Sequence, residues 1–583
     1  MKKFNFKILV SLALVALLLS GCASIKKMKK NADQIKWDVT PAVLETHAGQ
    51  VKVAIEGQIP EKYFVKKASL VVTPVIKYEG GEVAYPEVKL QGEKVKANNA
   101  VIAYKKGGNF SFKGAVPYNA AMRISQLQIK CVASKGASAL DFEPIKIADG
   151  VISTSEMVNK VGDPIIGVQR EKNTTGKYNP AIDPFQRIVP DEFMADLYYL
   201  INKSDVRKDE VKSKGMTDFE SYATDALSND RKKMKSLEIS AYASPDGKED
   251  FNANLSEKRE KSATEFFNKE LKNKKLAADI KTKFTAEDWE GFQKLMETSS
   301  IQDKELILRV LSMYNDPEVR EKEIRNLSQA FTAVAEQILP KLRRAKFSAN
   351  IDLIGKTDAE LLSFAENSPE KLNQAELLEA ARLTDDNAKK AQFYKSFIKQ
   401  FSDDWRGYNN LGMVQVWTGD VEAAGQNFEK ADKLSQGNPI IQNNLGVAAL
   451  ASGNANKAMD YFNAAKGAGK EVDCNMGIVS IIRAEYDKAV KYFGESTSAN
   501  AGLAKILAGD NNGALKTLEA NQAGCPLCEY LKAVIGARTG KENLLLESLD
   551  KACQKDAKFK GLAKTDLEFA KYFDNPKFKA IVE

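Results

Sequence analysis

The feature that most constrains this chain is an internal repeat near its C-terminal end. Six positions recur with identical residues after 34 positions: Leu411, Gly412, Gly419, Ala424, Phe428 and Ala431 return as Leu445, Gly446, Gly453, Ala458, Phe462 and Ala465. Less complete copies follow at steps of 31, 25 and 31 residues. Small residues let paired helices approach, and bulky residues fill the space between them. This pattern therefore predicts an all-helical solenoid over residues 360–583.

The period and the residue pattern resemble tetratricopeptide repeats. The resemblance implies a superhelix whose concave face binds peptides or segments of a partner protein. The candidate partner-binding residues on the first helices are Tyr408, Asn409, Asn410, Asn443 and Asn444. Asparagine is disfavoured inside helices, so a row of asparagines predicts hydrogen bonds to a ligand backbone. The alternatives are hydrogen bonds between repeats and a solvated face.

The composition favours binding over catalysis. The 583 residues include 43% hydrophobic and 28% charged residues, which is typical of a globular protein of several domains. A net charge of +8 is too diffuse to indicate nucleic-acid binding. His47 is the only histidine, which excludes histidine-rich metal sites and argues against imidazole relays. No cofactor is expected. A carboxylate enzyme stays open, with Glu287 and Glu290 as its compact acidic cluster.

The N-terminus reads as an export signal with a lipid anchor. The chain begins with basic residues, and an apolar run of about 12 residues follows. This run is too short to span a membrane, which needs roughly 20 residues, and the combination is typical of a secretory signal. The run ends in Leu19-Ser20-Gly21-Cys22, which resembles the bacterial lipoprotein lipobox. The resemblance implies a signal peptide over 1–21, acylation of Cys22 and a tether over 22–36. The residues after Cys22 are basic, unlike those of surface-exported Bacteroidota lipoproteins. We therefore expect attachment to the periplasmic face of the outer membrane.

Residues 37–170 contain short alternating apolar runs separated by turn residues. The predicted strands are Val51–Ile55, Ser69–Thr73, Ala100–Tyr104 and Gln126–Lys130. Their spacing predicts an antiparallel β-sandwich without a chemical site. Residues 171–182 are polar and are interpreted as a linker.

Residues 183–355 mix strand and helix patterns. The predicted strands are 196–201, 237–243 and 345–354. A helix capped by Ser256 is expected to run to about Leu271. The stretch from Ala241 to Arg259 contains Ala-Tyr-Ala-Ser-Pro-Asp-Gly, then Phe-Asn, Leu-Ser and arginine. It resembles the signature of OmpA-like domains, in a variant similar to that of Bacteroidota envelope proteins. The match implies an α/β fold with a helical insertion near 275–335.

The OmpA-like resemblance also implies non-covalent binding of peptidoglycan. A zwitterionic peptide end needs an anion beside its ammonium and a guanidinium beside its carboxylate. The candidates are Ser244, Asp246, Asn252, Arg259 and Arg343. Arg259 falls on the family's arginine, whereas Ser244 occupies the aspartate position and Asp246 is its possible substitute. The alternative is an OmpA-like fold that contacts proteins alone.

Cys525-Pro526-Leu527-Cys528 is a C-x-x-C motif. It is compatible with a disulfide, a redox pair or half a metal site, and a complete zinc site needs two more ligands. A turn between repeat helices with buried or bonded cysteines is the simplest interpretation.

These features together predict a non-enzymatic, lipid-anchored envelope scaffold. Its expected partners are outer-membrane lipid through Cys22 and an envelope protein through the repeats, and peptidoglycan is the further partner that the OmpA-like resemblance implies.

Overall fold

The computed structural model describes residues 23–162, 185–302, 304–521 and 524–583. The predicted signal peptide, Cys22 and the predicted linker at 171–182 therefore lie outside the described residues. The chain forms two compact units. The first unit contains the described residues before 183 together with Thr384–Glu583, and the second contains those of Asp183–Leu383. The sheet-rich N-terminal region and the repeats thus share one unit, although the second unit separates them in sequence.

The N-terminal part of the first unit is built from two sheets. The strands are β1 (Lys36–Thr40), β2 (Leu44–His47), β3 (Gln50–Ile59), β4 (Ser69–Tyr78), β5 (Gly81–Ala84), β6 (Val88–Gly92), β7 (Ala100–Ile102), β8 (Gly108–Pro117), β9 (Ser125–Lys135), β10 (Ser138–Asp141), β11 (Ile145–Asp149) and β12 (Val151–Ile152). One sheet has the order β1-β3-β2-β12 with β8 paired to β3. The other has the order β10-β9-β4-β6-β7, with β11 on β9 and β5 on β4.

The two sheets bury their inward-facing residues in one core. Val51, Val53 and Ile55 alternate with exposed or half-buried residues along β3, as expected for a strand with one buried face. Leu70 on β4 and Leu127 on β9 belong to the same cluster of buried side chains. The predicted sheet-rich N-terminal region is confirmed.

The predicted tether over 22–36 is not free of the fold. Residues 23–30 form a helix, α1, and β1 begins at Lys36. Ile25 and Met28 are 1% exposed and lie in the core of the sheets. The Tyr63 hydroxyl donates to the backbone oxygen of Met28 at 2.9 Å. The apolar residues of this short stretch are the reason that it packs.

The second unit has a four-stranded sheet in the order β13-β16-β14-β15. Its strands are β13 (Ile188–Tyr198), β14 (Lys232–Tyr242), β15 (Ile280–Thr285) and β16 (Arg344–Ile354). β16 is antiparallel to β13 and β14, and β15 is parallel to β14. Its helices are α2 (Lys208–Val211), α3 (Lys214–Ser228), α4 (Glu249–Asn273), α5 (Trp289–Glu297), α6 (Lys304–Met313), α7 (Pro317–Asn326), α8 (Ser328–Gln337), α9 (Leu339–Leu342), α10 (Asp358–Asn367) and α11 (Gln374–Arg382).

Three boundary predictions in the second unit are corrected. β13 ends at Tyr198 rather than at 201, and β15 lies within the stretch predicted to be helical. Ser256 does not cap a helix, because α4 begins at Glu249 and the Ser256 hydroxyl donates to the backbone oxygen of Ala253 at 2.9 Å.

The predicted start of the repeat domain at 360 also differs from the observed boundary. α10 and α11 belong to the second unit, which ends at Leu383. Glu360 accepts from Arg231 at 2.5 Å, and Lys356 donates to Glu376 at 2.7 Å. These ion pairs hold the two helices to the second unit.

The C-terminal part of the first unit is helical throughout its described residues. Its helices are α12 (Asn387–Gln400), α13 (Trp405–Thr418), α14 (Val421–Leu434), α15 (Pro439–Ala451), α16 (Ala455–Ala464), α17 (Lys470–Ile482), α18 (Tyr486–Phe493), α19 (Ala499–Leu507), α20 (Asn511–Glu519), α21 (Pro526–Thr539), α22 (Glu542–Lys555), α23 (Lys558–Ala563) and α24 (Pro576–Val582). Each helix from α12 to α22 packs on the next, and alternate helices from α13 to α21 also touch. The predicted all-helical repeat region is confirmed.

Candidate functional site: a polypeptide-binding face on the repeats

The first helices of four successive repeats carry an asparagine at the same place. Asn410, Asn444, Asn475 and Asn500 each stand two residues before the glycine of a repeat. They lie on α13, α15, α17 and α19. Three of them are at most 1% exposed and Asn500 is 8% exposed. Buried amides must find hydrogen-bond partners, so this recurrence organises polar contacts inside the repeats.

Five of the amides form a continuous chain across three helices. Asn475 donates from Nδ2 to Asn443 Oδ1 at 2.9 Å, and Asn443 donates to Asn444 at 3.1 Å. Asn444 donates to Asn409 at 2.9 Å, and Asn409 donates to Asn410 at 3.1 Å. The alternative of bonds between repeats is therefore realised by the Asn475–Asn443 and Asn444–Asn409 contacts.

Asn500 continues the row but binds polypeptide backbone. Its Oδ1 accepts from the backbone N–H of Asn159 at 2.9 Å, and its Nδ2 donates to the backbone oxygen of Asn159 at 3.0 Å. One side-chain amide thus satisfies both polar groups of one residue, as a neighbouring β-strand would. The sequence predicted ligand-backbone contacts for Asn409, Asn410, Asn443 and Asn444; Asn500 was not among them, and ligand binding by those four stays a prediction.

The bound segment, which we call the strap, consists of residues 153–162. It begins with a short helical turn at Thr154–Met157. Val158 is 6% exposed and belongs to the core of the repeats. At Gly162 a Cβ atom would lie 2.9 Å from Asn475 Oδ1 and 3.1 Å from Val447. A Cβ there would force these side chains to move, and the closeness of Gly162 to them shows that the strap extends from α19 to α17 and α15.

Polar contacts hold the start of the strap. The Thr154 hydroxyl donates to Glu568 at 2.5 Å, and Glu568 also accepts from Arg538 at 2.9 Å. The Glu568 side chain is 4% exposed. The attraction of Glu568 outweighs the effect of burial and raises the pKa of Arg538. A further contact joins the sheets to the repeats: His47 Nδ1 lies 2.6 Å from the Tyr486 hydroxyl.

Four of the five candidate partner-binding residues belong to the row of amides, and their partner-binding role stays a prediction. Asn409, Asn410, Asn443 and Asn444 are in the row, and Tyr408 is half-buried with Lys430 over its ring at 5.9 Å. Asn475 and Asn500 were missed, although their position before Gly477 and Gly502 repeats the same pattern. The strap had no sequence signal, because a segment of mixed polarity is not periodic.

The candidate ligand residues of the second unit form two separate groups. Arg343 donates to Ser244 Oγ at 3.1 Å and to Asp246 Oδ2 at 3.0 Å, and Ser244 donates to Asp246 Oδ1 at 2.6 Å. The side chains of Arg343 and Asp246 are 13% and 20% exposed. Arg343 and Asp246 thus form an ion pair, and the hydroxyl of Ser244 bonds to both of them.

Arg259 lies inside the fold, contrary to its predicted role as a ligand for a carboxylate. It is fully buried and donates to the backbone oxygens of Lys203, Tyr242 and Leu200 at 3.0, 2.9 and 3.2 Å. Its guanidinium also lies 5.1 Å from the ring centre of Tyr199. Burial lowers the pKa of Arg259 to about 10. The guanidinium of Arg259 thus stays charged at neutral pH, and its N–H groups bind three backbone carbonyl groups of the fold.

Asn252 and the acidic cluster are structural in their contacts. Asn252 is 3% exposed and donates to the backbone oxygens of Ser244 and Gly247 at 3.2 and 3.1 Å. It also donates to Glu287 at 3.2 Å, and burial raises the pKa of Glu287. Glu290 is exposed and accepts from Lys294 at 2.6 Å. Within the described ranges, no group of three or more metal-ligand side chains is placed to hold a metal ion.

Comparisons with known proteins concern the helical part. No protein family model matches the chain, and no curated protein matches it. YrrB, a TPR protein with an unusual peptide-binding site, is 21% identical; the match covers 30% of this chain and 98% of YrrB, with a TM-score of 0.24. PilW, a type IV pilus biogenesis factor, is 13% identical over 39% of this chain and 98% of PilW, with a TM-score of 0.26. A tetratricopeptide repeat protein from Parabacteroides merdae is 13% identical over 48% of this chain and 99% of its own, with a TM-score of 0.26.

Proposed function

We propose that this chain is a non-enzymatic envelope scaffold whose repeats hold a protein partner. One observation carries the proposal: Asn500, on the first helix of one repeat, binds both backbone polar groups of Asn159, which belongs to a segment far away in sequence. Recognition through backbone groups suits an extended partner segment, because every peptide unit offers the same donor and acceptor. Tyr408 on α13 supplies an aromatic side chain on the same set of helices.

Affinity capture from envelope extracts with the mature full-length chain tests this proposal. The test variant is Tyr408→Ala. The control is Tyr461→Ala, since Tyr461 lies on the second helix of a repeat, α16, and has a lysine over its ring at 5.6 Å in the same way. We expect the wild type and the control to capture the same envelope protein and Tyr408→Ala to lose it. Equal capture by all three proteins would contradict the proposal.

We further propose that Cys22 carries a lipid that holds the chain at the periplasmic face of the outer membrane. The support is the Leu19-Ser20-Gly21-Cys22 motif. In the described residues, no helix is both long and apolar enough to cross a bilayer. Detergent phase partitioning tests the anchor. The wild type and Cys474→Ala should enter the detergent phase and Cys22→Ala should stay in the aqueous phase; an aqueous wild type would contradict it.

A second candidate function is contact between the OmpA-like domain and peptidoglycan. Asp246 and Arg343 support it, because an adjacent carboxylate and guanidinium match the two charges of a zwitterion. A zwitterionic ligand would bind by separating this ion pair: its ammonium would contact Asp246 and its carboxylate would contact Arg343. In this proposal Arg343 takes the place of the buried Arg259.

Sedimentation of the mature chain with purified peptidoglycan tests the second candidate. The variant is Arg343→Gln, and the control is the exposed Arg309→Gln. Co-sedimentation of the wild type and the control, with loss for Arg343→Gln, is the expected result. If none of the three proteins sediments, peptidoglycan binding is contradicted and the domain is a module for protein contacts alone.

A further inference from the structure

The C-x-x-C motif lies at the start of a helix with its two thiols in different environments. Cys525 is the N-cap residue of α21, and its sulfur accepts from the backbone N–H of Cys528 at 3.2 Å. Cys525 is half-buried, whereas Cys528 is 3% exposed. Both are free thiols in this structure. The first cysteine is therefore partly exposed to solvent, whereas the second is covered by the fold.

The surroundings of the two sulfurs separate their acidities. A hydrogen bond from the Cys528 thiol, helped by the N–H groups of Cys528 and Leu527, lowers the pKa of Cys525 against the opposing effect of burial. The positive charge of Lys555 acts in the same direction. The same thiol–thiol bond and burial raise the pKa of Cys528. Cys525 is therefore the more acidic thiol of the pair, and Cys528 is the less acidic one.

Two other cysteines, Cys131 and Cys553, do not share the lowered pKa of Cys525. Burial raises the pKa of Cys131 to about 12 and also raises the pKa of Cys553. A metal explanation also lacks ligands, because no metal-binding group of three or more side chains occurs in the parts of the chain that the structure describes. An attacking thiolate next to a second, buried thiol is the arrangement of a dithiol that reacts with disulfides.

We propose that Cys525 and Cys528 form a redox site that reduces disulfides of small molecules or proteins and closes into an internal disulfide. The Cys525 thiolate attacks one sulfur of the external disulfide, forms a mixed disulfide and releases the other sulfur as a thiolate. Cys528 then loses its proton to that thiolate and attacks the Cys525 sulfur. The second external sulfur leaves as a thiolate and takes a proton from water. Two thiols are oxidised, and one disulfide is reduced to two thiols.

The local backbone is compatible with ring closure. Residues three apart at the start of a helix lie on one face, within the range of separations that a disulfide spans after a small adjustment. The 3.2 Å contact from the Cys525 sulfur to the Cys528 nitrogen already brings this sulfur over the first turn. Pro526 at the first helical position fixes the backbone between the cysteines without removing a needed hydrogen bond.

Reaction of the reduced, mature chain with oxidised glutathione tests the site, with mass spectrometry of the intact protein and of its peptides. We expect the wild type to form the Cys525–Cys528 disulfide without a lasting glutathione adduct. Cys528→Ser should keep one glutathione on Cys525, because no second thiol can release it. Cys525→Ser should stay unmodified at Cys528, and the control Cys553→Ser should behave as the wild type.

A second measurement keeps the test independent of the folding of the variants. The rate of alkylation of Cys525 in the wild type should level off at a pH well below the ordinary cysteine value of about 8.5. An ordinary pH profile, or a Cys528→Ser protein that is folded by circular dichroism and gains no glutathione, would overturn the proposal. The test does not depend on the membrane anchor or on a partner.

Discussion

Asn500 joins two segments that are 341 residues apart in sequence. Its position is one of four equivalent asparagines, and the other three are buried inside the row of amides. The sequence predicted such a row, since asparagine has no local reason to occur inside helices. It did not predict which asparagine binds backbone, because that depends on where the strap runs.

Replacement of Asn500 tests the two backbone contacts. Asn500→Ala removes both hydrogen bonds to Asn159 and should lower the free energy of unfolding by about 1–3 kcal/mol. Asn463→Ala, at an exposed position of α16, is the matched control and should change it little. Denaturant unfolding measures both; equal stability of the two variants would count against the contacts.

Asp566 should make stability depend on pH. It is 4% exposed and accepts from the Tyr530 hydroxyl at 2.8 Å, and burial raises its pKa from 3.8 to about 6. A carboxyl with a raised folded-state pKa stabilises the fold below its unfolded value and loses this contribution as pH rises through the folded value. The loss is about 3 kcal/mol between pH 4 and 6, at 1.36 kcal/mol per unit.

Asp566→Asn should remove this part of the pH dependence. Denaturant unfolding at intervals from pH 4 to 7 measures it, and the fully exposed Asp574→Asn is the control. The free energy of unfolding of Asp566→Asn should fall less over this range than that of the wild type. Parallel curves for wild type and Asp566→Asn would rule out the assignment.

At the scale of elements, the repeat helices were the most predictable. Gly412, Gly446 and Gly477 face Phe428, Phe462 and Phe493 of the next helices, as small and bulky partners at a fixed period should. Elements with weaker patterns were missed. β15 has no buried residue, so its alternation is faint. α4 begins without a side-chain cap, and the acidic residues Glu249 and Asp250 of its first turn are a weaker start signal than the serine at 256.

Helix packing in the repeats can be tested at Gly446. A Cβ atom there would lie 2.4 Å from the Phe462 ring. Gly446→Ala should therefore destabilise the protein by about 1–3 kcal/mol through overpacking. At Gly425 on α14 a Cβ meets nothing within 4 Å, and Gly425→Ala should instead stabilise by about 0.5–1 kcal/mol. Thermal unfolding should shift in opposite directions; a common direction would contradict this packing.

At the scale of the whole molecule, the order of the domains in the sequence did not predict that the N-terminal sheets and the repeats form one unit. The described residues before 183 and after 383 form one unit, and the strap and the contacts of Glu568 and Tyr486 join its two parts. These contacts involve single residues far apart in sequence. No periodicity or composition shift marks them, so they could not be predicted from one chain.

The division into two units predicts two unfolding transitions in calorimetry. Gly446→Ala should lower the transition of the first unit alone. Arg259→Met should lower the transition of the second unit alone, because it leaves three backbone oxygens without their donor. A single transition that both substitutions move equally would show that the units unfold together.

Hydrogen exchange of the mature full-length chain tests the central claim, that the repeats hold a polypeptide segment through the side-chain amide of Asn500. Mass spectrometry of peptides covering residues 153–162 is the readout. Exchange there should be slow in the wild type and in Asn463→Ala, and faster in Asn500→Ala, with the peptides of the second unit unchanged. Exchange of this segment at the rate of an unstructured peptide in the wild type would contradict the account.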